Sequence, residues 1–160
     1  MSFISLQYII FLPLVAGFYF LLPHAFRWIF LLTASCVFYM AFIPKYLLVL
    51  AFSIVIDYLA GIKIEGGKGN WRKWWLLISI AANLGLLGLF KYYHFFASAA
   101  GFHPLWHFAV PLGLSFHTFQ AMAYNFEIYY ARQKAERHFG IYALYILFFP
   151  QLVAGPIERP

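Results

Sequence analysis

The sequence predicts an all-α, polytopic transmembrane helical bundle with about five crossings and a re-entrant or partial sixth. Three observations carry that expectation. Of the 160 residues, 64% are hydrophobic and 10% charged, against roughly 45–50% and 25% in soluble domains. Mean hydropathy is +0.78. Long apolar runs alternate with short basic clusters, the pattern of spans and loops in membrane proteins. The 23% aromatic content excludes disorder. Cys36 is the single cysteine, so no disulfide framework exists. A net charge of +6 does not indicate nucleic-acid binding, because the basic residues lie between apolar runs rather than in one solvent-facing stripe.

A spanning helix needs about 20 mostly apolar residues. Ser5 to Leu22 is the first such run, with Pro13 expected to kink the helix rather than stop it. No basic residue precedes it, so it reads as a retained helix and not a signal peptide. Residues 23–27 (Pro-His-Ala-Phe-Arg) read as a turn. Trp28 to Ile43 is a short second run, tilted or re-entrant. Pro44 and Lys45 break it, and Tyr46 to Ile62 is the third. Lys63 to Lys73, with three glycines and four basic residues, reads as a solvated loop. Trp74 to Phe90 is the fourth run and opens on an interfacial Trp pair. Lys91 to Phe108 is a mixed interfacial loop, Val110 to Tyr130 the fifth run, and Arg132 to His138 a second basic loop. Phe139 to Val153 re-enters, with Pro150 breaking it. With the N-terminus outside, eight basic residues fall on inner loops (Arg27, Lys63, Lys68, Arg72, Lys73, Arg132, Lys134, Arg137) against Lys45 and Lys91 outside. The positive-inside rule therefore orients the N-terminus extracytoplasmically.

Polar residues inside the runs are the candidates for function. Asp57 sits five residues before the expected end of the third helix, where it would reach headgroups or pair with Lys63. In the fifth run, Gly113, His117, Gln120, Tyr124 and Glu127 are spaced four, three, four and three, which places them on one helical face. Such a stripe faces a partner helix or a wet cavity, so it either makes interhelical hydrogen bonds or lines a passage for a polar substrate. His103 and His107 have the spacing of a helical metal pair, but Pro104 lies between them and no third ligand is near. No metal or cofactor is expected. Ser115 and Thr118 lack triad partners, and Gly66 to Gly69 lacks the length and the Ser/Thr of a phosphate-cradling loop.

Two blocks carry a family resemblance. Residues 110–120 (Val-Pro-Leu-Gly-Leu-Ser-Phe-His-Thr-Phe-Gln), with Pro111 and Gly113, resemble a Pro-Leu-Gly-Ile-Ser-Phe-Tyr-Thr-Phe-Gln segment of the membrane-bound O-acyltransferase family. Residues 148–159, with Pro150, Gln151, Gly155 and Pro156, resemble the Phe-Pro-x-Leu-x-x-Gly-Pro-Ile motif of its bacterial branch, which includes alginate O-acetylation and teichoic-acid D-alanylation proteins. Residues 135–137 (Ala-Glu-Arg) stand where the family has a Glu-Arg-Asn loop. Phe11-Leu12-Pro13 and Asp57-Tyr58 also fit.

The resemblance covers the whole chain and about the first third of a member, so residues 1–160 read as an N-terminal portion. It implies an inner-membrane enzyme that moves an acyl group from a cytoplasmic donor, an acyl-CoA or acyl carrier, to a hydroxyl of an extracytoplasmic polysaccharide. Acetylation of a polymer such as alginate, with partner acetyltransferase proteins, is the expected form. The family's catalytic histidine lies in its second half in a Trp-His-Gly context, which this sequence does not contain; His107 is a decoy, and no catalytic residue is assigned. The chain alone is expected to be inactive. His117 replaces the family's usual Tyr, and Glu127 stands where Asp is common. His117, Gln120, Tyr124 and Glu127 are the expected lining residues. A non-enzymatic membrane scaffold and a small transporter are the alternatives, although no inverted repeat is visible.

Overall fold

A computed structural model of the chain describes residues 6–41, 44–93 and 113–151, all-helical with short connections. Helix α1 spans Leu6–Leu21, α2 His24–Met40, α3 Pro44–Gly66, α4 Asn70–Leu87, α5 Leu114–Tyr129 and α6 Phe139–Leu147. A π turn over Gly88–Tyr92 continues α4. Helix α1 runs through Pro13 without interruption.

The expected boundaries shift at several ends, each for a local reason. Residues 24–27 are not a turn: Pro23 takes φ −57° and ψ 146° as the N-cap, and the helix starts on His24. Pro44 opens α3, the position where a missing N–H costs nothing. Most of the expected loop at 63–73 is helical, because α3 extends to Gly66 and α4 begins at Asn70; the connection is Gly67 to Gly69, with Gly69 at φ 57°. Helix α6 stops at Leu147, short of Pro150. His94, His103, Pro104 and His107, with Pro111, Gly155 and Pro156, lie outside the described residues.

Segments 47–66 and 70–92 are each long and apolar enough to cross a membrane, while α1 and α2 are shorter apolar helices of 16 and 17 residues. Large apolar side chains point outward: Leu21 is 80% exposed, Phe20 76% and Leu48 74%. A surface of this kind suits hydrocarbon rather than water. Helix α3 is the centre of the bundle, packing on α4, α5, α2 and α6. Tyr39, Leu50, Ile54, Ile64, Leu87, Leu114, Ile128 and Tyr142 form the main apolar core.

The close approach of α3 to α5 depends on Gly61. A Cβ there would lie 3.0 Å from Tyr124 Cε1, 3.2 Å from Asn125 Oδ1 and 3.2 Å from Ile128 Cδ1. Gly61→Val should therefore wedge the two helices apart and cost about 1–3 kcal/mol, the usual range for overpacking. A detergent unfolding titration checks this; wild-type stability in the variant would show that the two helices are not in contact.

The basic loops meet at one end of the bundle. Arg137 pairs with Glu65, Trp28 packs edge-on against His138 at 4.7 Å, and Tyr58 Oη donates to the Arg137 carbonyl at 2.6 Å. Arg72 on α4 donates to the backbone carbonyls of Ile64 on α3 and of Ile128 and Tyr129 on α5. The ends of α3 and α5 and the starts of α2, α4 and α6 thus share one level. Up-and-down threading of the apolar runs requires this arrangement.

Candidate functional site

Helix α5 begins on Gly113, whose φ of 73° is the left-handed region that glycine occupies without strain. That turn sets the rotation of the helix and hence the direction of its polar face. His117, Gln120, Tyr124 and Asn125 are buried, while Phe119 and Phe126 on the opposite side are exposed. The stripe read from spacing is therefore turned inward along most of its length.

Each stripe residue meets a different element. His117 Nε2 lies 2.6 Å from Tyr39 Oη on α2. Gln120 Nε2 donates to the Tyr145 carbonyl on α6 at 3.0 Å and approaches Gln151 Oε1 at 3.4 Å. Tyr124 Oη accepts the Glu136 backbone N–H at 2.8 Å. Glu127, at the basic end, is partly exposed and pairs with Arg132 at 3.5 Å. The stripe is not one continuous cluster: His117, Gln120 and Gln151 form its inner part, and Tyr124 and Glu127 face the basic loop. A cleft of about 160 Å³ opens beside Tyr124, walled by Gln133, Glu136, Tyr142 and Tyr145. A second of about 420 Å³ lies between Glu65, Arg72, Arg132 and Lys134.

The inner part keeps unused hydrogen-bonding capacity. Gln120 Oε1 and Gln151 Nε2 are buried and have no hydrogen-bond partner among the described residues, and His117 Nδ1 has only a poorly aligned approach to the Ile146 backbone. Leaving such atoms unpaired costs about 1–3 kcal/mol each, so they mark a place where a further polar group belongs. The Ser35 hydroxyl, which receives the Phe149 N–H at 3.5 Å, holds the Phe-Phe-Pro-Gln block against α2 nearby.

A second polar centre surrounds Asp57. Asp57 is fully buried and does not pair with Lys63, which is exposed. Its Oδ1 accepts from Ser79 Oγ at 2.5 Å, Asn83 Nδ2 at 2.8 Å and Asn125 Nδ2 at 3.2 Å; its Oδ2 accepts from Asn83 Nδ2 at 2.9 Å and Ser53 Oγ at 3.4 Å. The expected reach to the headgroups fails because α3 continues to Gly66, which leaves Asp57 about 14 Å from the helix end at 1.5 Å per residue. The sequence held a signal for this centre: Ser53 and Asp57 are four apart, as are Ser79 and Asn83, so each pair shares a face of an otherwise apolar helix.

A probable alginate O-acetylase AlgI from Azotobacter vinelandii is 33% identical over 161 residues, covering 94% of this chain and 32% of that protein. The corresponding protein of Pseudomonas aeruginosa is 32% identical, with 94% and 31% covered. A peptidoglycan O-acetyltransferase from Helicobacter pylori is 36% identical over 159 residues, with 79% of this chain and 30% of the relative covered. The chain is homologous to bacterial O-acetyltransferases. This agrees with the membrane-bound O-acyltransferase resemblance of the two motif blocks. The chain spans about a third of the length of these relatives. No family model and no solved structure matches it. Of the motif residues, Gly113, Pro150 and Gln151 are described, and the two blocks meet where Gln120 approaches Gln151.

Proposed function

We propose that the chain is the N-terminal portion of an inner-membrane O-acyltransferase that acetylates hydroxyls of an extracytoplasmic polysaccharide, with the basic loops on the cytoplasmic side and the N-terminus outside. The observation that carries this reading is the convergence of the two motif blocks, 31 residues apart, at Gln120 and Gln151. Homologous O-acetyltransferases support the chemistry, and the single basic end supports the orientation.

The reaction is attack of an acceptor hydroxyl on an activated acyl carbonyl, assisted by a base that removes the hydroxyl proton. No described residue is assigned the role of base. The donor, an acyl-CoA or an acyl carrier, would approach from the end that holds Glu127, Arg132 and Lys134. His117, Gln120 and Tyr124 would line the passage above it, and the unused polar atoms of Gln120 and Gln151 would hold an oxygen or hydroxyl in place. A scaffold role would need none of those atoms to touch substrate.

The test uses Gln120→Leu introduced into the complete gene, in a host stripped of its own polysaccharide O-acetylation. Loss of one buried polar contact of about 1–3 kcal/mol corresponds to roughly a 5- to 100-fold fall in rate. Ester-linked acetate should fall by that order while the membrane level of the protein stays normal. Unchanged acetate would remove Gln120 from the passage, and absent acetate with the wild-type gene would remove the enzymatic reading.

A further inference from the structure

We propose that the groove between α1 and α2 holds one acyl chain of an anionic phospholipid whose headgroup rests on Arg27. This inference is independent of the acyl-transfer reading. The groove, of about 250 Å³, is lined by Leu12, Ala16 and Tyr19 of α1 and Leu31 of α2, and its floor is the turn at Phe148, Phe149 and Pro150. Phe20 on its rim is 76% exposed, so the groove opens outward. Along α1 the lining runs from Leu12 to Phe20, about 12 Å at 1.5 Å per residue. Tyr19 carries the only polar side-chain atom of that lining. An exposed apolar groove drawn out along a helix suits a hydrocarbon chain.

The shallow end of the groove is charged. Tyr19 lies toward the basic end of the bundle, where α1 stops at Leu21 and α2 starts at His24. The Arg27 guanidinium stands over the Tyr19 ring, 5.0 Å from its centre, and its Nε donates to the Leu22 carbonyl at 3.1 Å. Two contacts thus hold the cation in place. They leave Nη1 and Nη2 without a hydrogen-bond partner among the described residues, and Arg27 belongs to neither ion pair found there. Those two nitrogens form the planar fork that matches a phosphate. Beside them the first turn of α2 has no side-chain cap, which adds the positive end of a helix dipole. The neighbouring Trp28, packed on His138 of the basic loop, marks this level as the headgroup interface.

Charge selects the occupant. A second copy of the chain has no free carboxylate to offer Arg27 among its described residues: Asp57 is buried, Glu65 and Glu127 are ion-paired, and Glu136 accepts the His138 N–H. An anionic phospholipid supplies both halves at once, a chain for the groove and a phosphate for the fork. Seated there, it covers the turn that leads into Gln151.

The experiment takes the protein expressed from its complete gene, purified in detergent, and titrates it with phosphatidylglycerol and with phosphatidylcholine of the same acyl chains. Native mass spectrometry counts the bound lipid. Wild type should bind one phosphatidylglycerol saturably, about 5-fold more tightly than phosphatidylcholine, the ratio expected from one basic residue beside an anionic headgroup. Arg27→Gln should bring phosphatidylglycerol down to the level of phosphatidylcholine. Ala16→Leu fills the groove from an exposed helical position, so it should fold normally and weaken both lipids several-fold; it keeps the test decisive if Arg27→Gln does not fold. Absent saturable binding to wild type overturns the inference. So does a lipid preference unchanged in Arg27→Gln, or binding of both lipids unchanged in Ala16→Leu. Lipid-free dimers that Ala16→Leu dissociates would overturn it as well, by giving the groove to a second copy.

Discussion

Asp57→Leu should destabilise the protein by about 2–4 kcal/mol, and Asp57→Asn by less. The carboxylate is the common acceptor for Ser79, Asn83 and Asn125, so its removal strips three buried donors from two other helices. At roughly 1–3 kcal/mol for each orphaned group the sum would be larger. Two of those donors keep a second partner, however: Asn83 Nδ2 also bonds the Ser79 carbonyl at 3.0 Å, and Asn125 Nδ2 bonds Ser79 Oγ at 2.9 Å. Taking a carboxylate out of the bilayer also returns part of an insertion cost of about 2.5–3.5 kcal/mol. The net loss is therefore a few kcal/mol rather than many. Asparagine keeps one acceptor oxygen at nearly the same place and should retain about half of the stability. Denaturing-detergent titrations followed by circular dichroism give both values. Leucine as stable as wild type would mean that these side chains do not meet.

The same cluster shows where sequence reading succeeds and where it stops. Apolar runs are legible because a bilayer imposes length and composition on every crossing, and the runs 5–22, 46–62, 74–90 and 110–130 fall on helices where they are described, apart from the end residues Leu22, Gly113 and Tyr130. The inward turn of His117, Gln120 and Tyr124 is legible because helical periodicity is fixed by backbone geometry. Helix ends are less so. Glu65, Arg72 and Lys73 look like loop residues by charge, yet all three are helical, because long side chains at the ends of spanning helices carry their charges to the interface. Partnership across helices is the least legible: nothing in one sequence says that Asn125 on α5 meets Ser79 on α4 and Asp57 on α3. Asn125 lies one residue from Tyr124 in the polar stripe, and it reaches the cluster only because Gly61 lets α5 approach α3.

Arg72→Ala should cost about 3 kcal/mol and loosen the basic end of the bundle, and Arg72→Lys should recover about half of the loss. Helices α3 and α5 both end at this level, and each leaves carbonyls of its last turn without an intrahelical partner. The negative ends of two helix dipoles therefore converge, and a cation there is stabilising. Arg72 meets both at once. Its Nε donates to the Ile64 carbonyl at 3.0 Å; its Nη2 donates to the Ile128 and Tyr129 carbonyls at 3.2 and 2.6 Å. The guanidinium also lies 5.4 Å from the Tyr129 ring centre. Bonds to a charged donor are worth roughly 1.5–3 kcal/mol each, but this side chain is only partly buried and water replaces some of them, so three bonds sum to about 3 kcal/mol. Lysine supplies the charge from a single point and cannot span two helices with the planar fork that arginine offers. Limited proteolysis separates the outcomes: Arg72→Ala should expose the connections at Gly67–Gly69 and Ala131–Lys134 to cleavage, with Arg72→Lys intermediate. Equal resistance in all three proteins would place the union of α3, α4 and α5 entirely in the Asp57 cluster and the apolar core, with the arginine a bystander.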